Sequence, residues 1–249
     1  MLIDTIDIRT SAVLLDVDGT LLDLAETPLG VEVPQQLKRA LEALSARSGG
    51  ATSFVSGRSL ADLDRLFAPL KLAAVAGHGA ELRLAGEAVP HRQTGAISSD
   101  LRRRLETFAA SSEGVIFEDK GYSLALHYRR APQRAAEIYE AVLEACAEYP
   151  AGMLDVLPGK SVLEVKPAGF SKGSGIRELM KASPFRGRRP IFIGDDVTDE
   201  SAFAVLPEFG GLGFSVGREL PGLAGSFATP GDVRAWLYRV ADGVGAGDS

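Results

Sequence analysis

The chain has 249 residues, enough for one large domain or two smaller ones, and its 45% hydrophobic and 24% charged residues are ordinary for a soluble globular protein with a sizeable core. A net charge of -6 argues against a nucleic-acid partner, and no run approaches the ~18 apolar residues of a membrane span. Cys146 is the one cysteine, so no internal disulfide can form; with an acidic N-terminus lacking a long apolar stretch, this fits a cytoplasmic setting.

The first predicted element is the apolar run Ala12–Leu15, which stops at Asp16-Val17-Asp18-Gly19-Thr20. A short apolar run bounded by a turn signal reads as a buried parallel strand. Ligands of open α/β sheets bind beyond the carboxyl ends of the strands, so Asp16 and Asp18 stand where chemistry is expected. Residues i and i+2 of an extended chain point the same way. Two carboxylates so placed repel each other and favour a hard dication with oxygen ligands. The alternative is a solvated surface turn.

Pro34 opens a helix with Leu37, Ala40, Leu41 and Leu44 at helical spacing, ended by Gly49-Gly50. Ala51–Val55 reads as a second strand, followed by Ser56-Gly57-Arg58, and Ser59 starts the next helix. Ser56 lies at a strand's carboxyl end, where its hydroxyl and nearby N–H groups would hold a phosphate oxygen; a plain turn residue is the alternative. Leu72–Val75 is a third strand leading to Gly77-His78-Gly79, which puts His78 at the same rim unless it is a structural histidine. Glu81–Val89 reads as a hairpin turning at Gly86.

From about Gly95 the pattern changes. A helix through Ile97, Leu101, Leu105 and Phe108 precedes strands Val115–Lys120 and Ser123–Arg129, joined at Gly121. A helix from Pro132 precedes strands Met153–Leu157 and Ser161–Lys166, turning at Pro158-Gly159. This αββαββ block over 95–167 reads as an inserted domain within a first domain of 1–94 and 168–249. Helices cover one face of its sheet. Strand alternation leaves Glu118, Lys120, His127, Arg129, Lys160, Glu164 and Lys166 on the other, either as a solvated face or as a lid for a polyhydroxylated substrate.

Gly169-Phe170-Ser171-Lys172-Gly173 leads into a helix with Ile176, Leu179 and Met180, placing Lys172 near its N-terminus. Pro190–Gly194 is a buried strand ending in Asp195-Asp196-Val197-Thr198-Asp199-Glu200, the acidic partner that the first strand end needs. Asp16, Asp18 and Asp195 together would supply oxygens to one Mg²⁺, with Asp199 orienting a bound water or capping a helix; Asp196 has no evident role. Leu212–Val216 and Ser226–Ala228 are closing strands, and a last helix runs through Val233, Trp236, Leu237 and Val240. Gly243–Ser249 reads as a frayed tail.

DVDGT, SGR, Lys172 and GDDVTDE, in that order, resemble the four motifs of the haloacid-dehalogenase-like (HAD) phosphatases. The resemblance implies an α/β fold, a Rossmann-like core of parallel sheet flanked by helices, with the αββαββ cap inserted. It also implies Asp16 as the nucleophile that becomes an aspartyl phosphate and Asp18 as general acid/base. Ser56 would bond the phosphoryl group, Lys172 would steady it, and Mg²⁺ would be the cofactor. GDDVTDE, SGR, the cap pattern and GKSVLEVKP together resemble the trehalose-6-phosphate phosphatases across most of the chain. That implies a small-molecule sugar phosphate as substrate for a monomeric enzyme. Gly57, Arg58 and His78 would contact substrate from the core, and Glu118, Lys120, His127, Arg129, Lys160 and Glu164 from the cap. Alternatives are a phosphatase of another sugar phosphate (sucrose-6-phosphate or mannosyl-phosphoglycerate type), a sugar-phosphate mutase, and a non-enzymatic sugar-phosphate sensor.

Overall fold

The computed structural model describes residues 2–23, 32–87, 91–92, 97–159 and 161–243. The chain divides into two compact units, Met1–Gln93 with Phe170–Ser249, and Thr94–Gly169. The first segment gives β1 (Ser11–Leu15), α1 (Gln35–Arg47), β2 (Thr52–Val55), α2 (Leu60–Phe67), β3 (Ala73–Ala76), β4 (Glu81–Arg83) and β5 (His91–Arg92). The second unit gives α3 (Ser99–Ala110), β6 (Ile116–Asp119), β7 (Leu124–His127), α4 (Ala135–Ala147), β8 (Leu154–Gly159) and β9 (Val162–Pro167). The last segment adds α5 (Lys172–Leu179), β10 (Arg189–Gly194), α6 (Glu200–Val205), β11 (Leu212–Val216), β12 (Gly225–Phe227) and α7 (Pro230–Ala241) to the first unit.

The first unit is a sheet in the order β12-β11-β10-β1-β2-β3-β4-β5, parallel from β12 to β3, with β4 and β5 antiparallel at one edge. Alternation along β1 divides the core. Val13 and Leu15 pack with Leu37 and Leu41 of α1 and Trp236 and Leu237 of α7. Ala12 and Leu14 pack with Ile176 and Leu179 of α5 and Phe203 of α6. Both faces are covered, so β1 is buried throughout, as a parallel strand needs to be. Asp16 continues the even-numbered phase and so leaves the strand on the α5 side.

The chain leaves β1 toward β2 on one side and leaves β10 toward β11 on the other. The gap between the ends of β1 and β10 is therefore the switch point where a ligand is expected. Helix starts are capped where the sequence places Ser or Thr. Ser59 Oγ accepts the Asp62 N–H, and Ser171 with Ser174 and Thr229 with Asp232 form reciprocal capping boxes. Such a cap contributes about 1 kcal/mol.

The second unit is an antiparallel sheet in the order β6-β7-β9-β8. Leu101 and Leu105 of α3 and Ile138 and Val142 of α4 pack with Leu124, Leu126, Leu163 and Val165 on one face. The register Glu118↔Ala125↔Glu164 sets these residues on the other face, with His127 and Lys166. Pro158 and Gly159 lie inside β8, opposite Leu163 and Val162, not in the expected turn. β8 is an edge strand, where a missing proline N–H costs no ladder bond when it faces outward.

The 81–89 hairpin extends to β5, with residues 88–90 outside the described ones. Residues 244–249 of the expected tail also lie outside them. The helix available for Asp199 to cap is α6, of 6 residues, and the Asp199 side chain makes no cap hydrogen bond to it. Among the described residues no helix is long and apolar enough to cross a membrane.

Candidate active site

The carboxyl ends of β1, β2, β3 and β10 carry the site. Asp16 is the first residue after β1, its N–H donating to the Ile193 carbonyl of β10 at 2.9 Å. Lys172, the first residue of α5, is buried and places its Nζ 2.8 Å from Asp16 Oδ1 and 2.6 Å from Asp199 Oδ1. Asp199 is fully buried, and its Oδ2 accepts the N–H groups of Asp195 and Asp196 at 2.9 and 3.0 Å. Both Asp199 oxygens are thus engaged within the chain. Asp196 caps the turn Val197–Asp199, accepting the Val197 N–H at 2.6 Å, which gives this residue the role that sequence reading lacked. Thr20, also missed, donates its hydroxyl to Asp195 Oδ1 at 3.1 Å. The signal for it lay in the last letter of DVDGT.

Burial pushes the Asp16 carboxyl well above its ordinary pKa; Lys172 opposes this, while Asp199 and Asp195 add to it. Burial and Asp199 likewise raise Asp195. Burial alone would lower the Lys172 ammonium, but Asp16 and Asp199 outweigh it and hold its pKa above the usual lysine value.

Asp16, Asp195 and Asp199 bring carboxylate oxygens within 4.8 Å of one another, a group able to hold a metal ion. Three carboxylates against one ammonium leave two negative charges, which a dication balances. The donors are oxygens only, as Mg²⁺ prefers, and neither histidine nor cysteine stands among them. With Asp199 engaged on both oxygens, Asp16 and Asp195 are the carboxylates left to coordinate.

The expected trio of Asp16, Asp18 and Asp195 is therefore not the cluster brought together. Past the strand the chain turns at Gly19 (φ +77), and the Asp18 side chain goes to Arg58. Nε donates to Oδ2 at 2.6 Å and a second guanidinium nitrogen to Oδ1 at 2.5 Å. The i, i+2 rule ends where the extended chain ends.

A Cβ at Gly19 would lie 2.1 Å from Asp195 Oδ2. Gly19→Ala therefore has to displace a candidate metal ligand while straining a positive φ. We expect roughly a 10²-fold loss of kcat/KM, the scale of an ångström's misplacement, with a matching rise in the Mg²⁺ concentration giving half activity. Unchanged metal dependence would show that Asp195 is not held by this contact.

Ser56, buried at the end of β2, accepts the Arg58 N–H on Oγ at 3.1 Å, which leaves its hydroxyl proton free to donate. His78 follows β3, and its ring stands where a Cβ at Gly57 would be, 2.5 Å from Nε2. Gly57, Arg58 and His78 thus form one packed rim of the core.

On the polar face of the second unit the predicted residues pair with each other. His127 Nε2 lies 2.7 Å from Glu118 Oε2. Glu164 accepts from Lys120 at 2.9 Å and from the Ser123 hydroxyl at 2.5 Å. Lys166 is buried against Asp155, 3.1 Å away. Arg129 lies past the end of β7 and is exposed. Lys160 lies outside the described residues.

Comparison with known proteins follows the same lines. The family model described as trehalose-phosphatase matches residues 14–220. A probable trehalose-phosphate phosphatase of Sinorhizobium fredii is 43% identical over 86% of this chain and 81% of its own. The trehalose-6-phosphate phosphatase of Escherichia coli is 37% identical over 90% and 84%. Among solved structures, the C-terminal domain of the Candida albicans trehalose-6-phosphate phosphatase superposes with a TM-score of 0.76 at 21% identity, covering 95% of this chain and 94% of that one. The resemblance carried by the four motifs, and the α/β fold it implied, are borne out.

Proposed function

This chain belongs to the trehalose-phosphatase family, and on that premise we propose that it hydrolyses trehalose 6-phosphate to trehalose and phosphate, with Mg²⁺ as cofactor and an aspartyl phosphate on Asp16 as intermediate. The observation that carries this reading is the buried Lys172 ammonium held between Asp16 and Asp199 beside Asp195. It is a fixed cation at the mouth of a parallel sheet, where an incoming phosphate dianion and a carboxylate nucleophile must meet.

Lys172 fixes Asp16 through Oδ1 and leaves Oδ2 to attack phosphorus in line with the departing sugar oxygen. Its charge lowers the cost of bringing two anions together. The Ser56 hydroxyl donates to a phosphoryl oxygen. Asp18 gives its proton to the sugar oxygen as the P–O bond breaks. It then takes a proton from the water that adds to phosphorus and releases Asp16, assistance worth roughly 10²–10⁴-fold. Asp16 and Asp195 would hold Mg²⁺, which would add charge neutralisation to the incoming phosphate.

The experiment is phosphate release from a panel of sugar phosphates, before and after chelation. Trehalose 6-phosphate should give the highest kcat/KM. Preference for sucrose 6-phosphate or mannosyl-phosphoglycerate would move the substrate, a transferred phosphate recovered on sugar would indicate a mutase, and sugar binding without turnover a sensor. Chelation should abolish release and Mg²⁺ restore it. Mg²⁺ alone should also stabilise the chelated protein, by about 2.7 kcal/mol at a hundred times its Kd. Full activity with no metal present would overturn the cofactor assignment.

On the same reading Glu118, Lys120, His127, Arg129, Lys160 and Glu164 recognise the sugar, their acids and bases each accepting or donating to hydroxyls. Glu118 is the cleaner test, since its side chain is 44% exposed while Glu164 is buried under two bonds. Loss of a charge-assisted hydrogen bond of about 1.5 kcal/mol or more predicts at least a ~10-fold lower kcat/KM for trehalose 6-phosphate in Glu118→Ala. Hydrolysis of 4-nitrophenyl phosphate should be unchanged. Equal loss on both substrates would make the residue structural.

A further inference from the structure

Two carboxylates stand two residues apart after β1, and each has its own cation. Lys172 holds Asp16, and Arg58 holds Asp18. The second pair is a fork, with one guanidinium nitrogen on each carboxylate oxygen at 2.6 and 2.5 Å. A guanidinium met this way fixes the plane of the carboxylate, which a lysine ammonium cannot do. Each oxygen keeps a second lone-pair direction, so the carboxylate can still exchange a proton away from Arg58.

Arg58 is itself held. Its side chain is 10% exposed. Its N–H donates to Ser56 Oγ, and its carbonyl accepts the Gly77 N–H at 2.8 Å. The Ser56 carbonyl accepts the His78 N–H at 3.1 Å. His78 takes a φ of 53, and its imidazole fills the space a side chain at Gly57 would need. A non-glycine residue at positive φ is strained and persists where its surroundings over-determine it. The turn Gly77–Gly79 thus braces the loop Ser56–Arg58 from behind, and the loop presents a rigid guanidinium to Asp18.

We infer that Arg58 is a positioning residue for proton transfer, setting the orientation of the Asp18 carboxylate, and not a ligand of the substrate. The inference rests on the acid/base role of Asp18 proposed above. It separates the two aspartates by partner: Asp16 belongs to the lysine–carboxylate cluster, Asp18 to Arg58.

The test uses a substrate that needs Asp18 in one step only. 4-Nitrophenyl phosphate expels a phenolate that requires no proton. Asp18 then acts only when water adds to phosphorus, gives up its proton and displaces Asp16. In Arg58→Met, rapid mixing with 4-nitrophenyl phosphate and Mg²⁺ should show a burst of about one nitrophenolate per enzyme. A steady rate roughly 10²-fold below that of the unaltered protein should follow, with KM not raised.

Arg58→Lys keeps the charge but loses the fork, and it should show the same burst; it carries the test alone if Arg58→Met does not fold. A raised KM at unchanged kcat would make Arg58 a substrate ligand, and equal slowing of both steps would make it structural. Full activity in either variant, Arg58→Lys included, would show that the fork is not needed. Each of these results overturns the inference. Asp16→Asn is the control for the mechanism beneath it. Turnover of 4-nitrophenyl phosphate by that protein would overturn the covalent reading itself, whatever the Arg58 variants do.

Discussion

An Asp16→Asn protein should fold normally and release no measurable phosphate from trehalose 6-phosphate. The amide keeps the volume of the carboxylate at a position only 3% exposed, and its oxygen can still accept from Lys172. On the proposed mechanism, what it loses is the nucleophile. Removing a covalent nucleophile costs on the order of 10⁴-fold or more, because the remaining binding groups cannot substitute for the bond it forms. Phosphate release and near-ultraviolet circular dichroism, measured on one preparation, give the two halves of the result. Turnover within tenfold of the unaltered protein would remove Asp16 from the chemistry.

Lys172→Met should lose both activity and stability. The lysine side chain is 3% exposed and its partners Asp16 and Asp199 are 5% and 0% exposed, so solvent does little to screen the pair. Removing the cation leaves buried carboxylates without their partner, a change that costs about 3–5 kcal/mol. The sign with pH follows from the direction of the shift. The folded-state pKa of Lys172 is raised. Its contribution is therefore complete below the unfolded lysine value of about 10.4 and is lost only as pH rises through the higher folded value. Urea unfolding should show a gap between the two proteins that persists through neutral pH and narrows above pH ~10.4. A gap that closes at neutral pH would mean that Lys172 is not the charged partner of these carboxylates.

Much of this was legible in the sequence because the relevant rules are local. Apolar runs ending in Asp16, Ser56 and Asp195 marked three strands together with their chemical ends, and Ser59 marked a helix start. Alternation through Leu124, Leu126, Leu163 and Val165 separated a packed face from a polar one before any pairing was known. What escaped depends on where side chains meet after the chain has turned. Asp18 was grouped with Asp16 by an extended-chain rule that stops at Gly19, and its real partner, Arg58, is 40 residues away. Asp199 reads as a cap or a water-orienting group, yet its main partner is Lys172, 27 residues earlier. Pro158 looked like a turn because proline usually breaks a strand, and only the edge position of β8 makes it tolerable.

The pairing of β1 with β10 joins Leu15 to Ile193 across the whole inserted unit. At about 5–20 residues per second, a ribosome needs on the order of ten seconds or more to make the chain between them. For most of that interval β1 has β2 available on one side and an open edge on the other; Lys172 follows only late in it, and Asp195 and Asp199 come after Ile193. The unit Thr94–Gly169 is contiguous and can condense within the same interval. The order of synthesis therefore completes the Lys172–carboxylate cluster only after the inserted unit has been made, with β11, β12 and α7 still to follow. A nascent chain released just before Asp199 carries six of the eight strands of that sheet and lacks the buried carboxylate that pairs with Lys172.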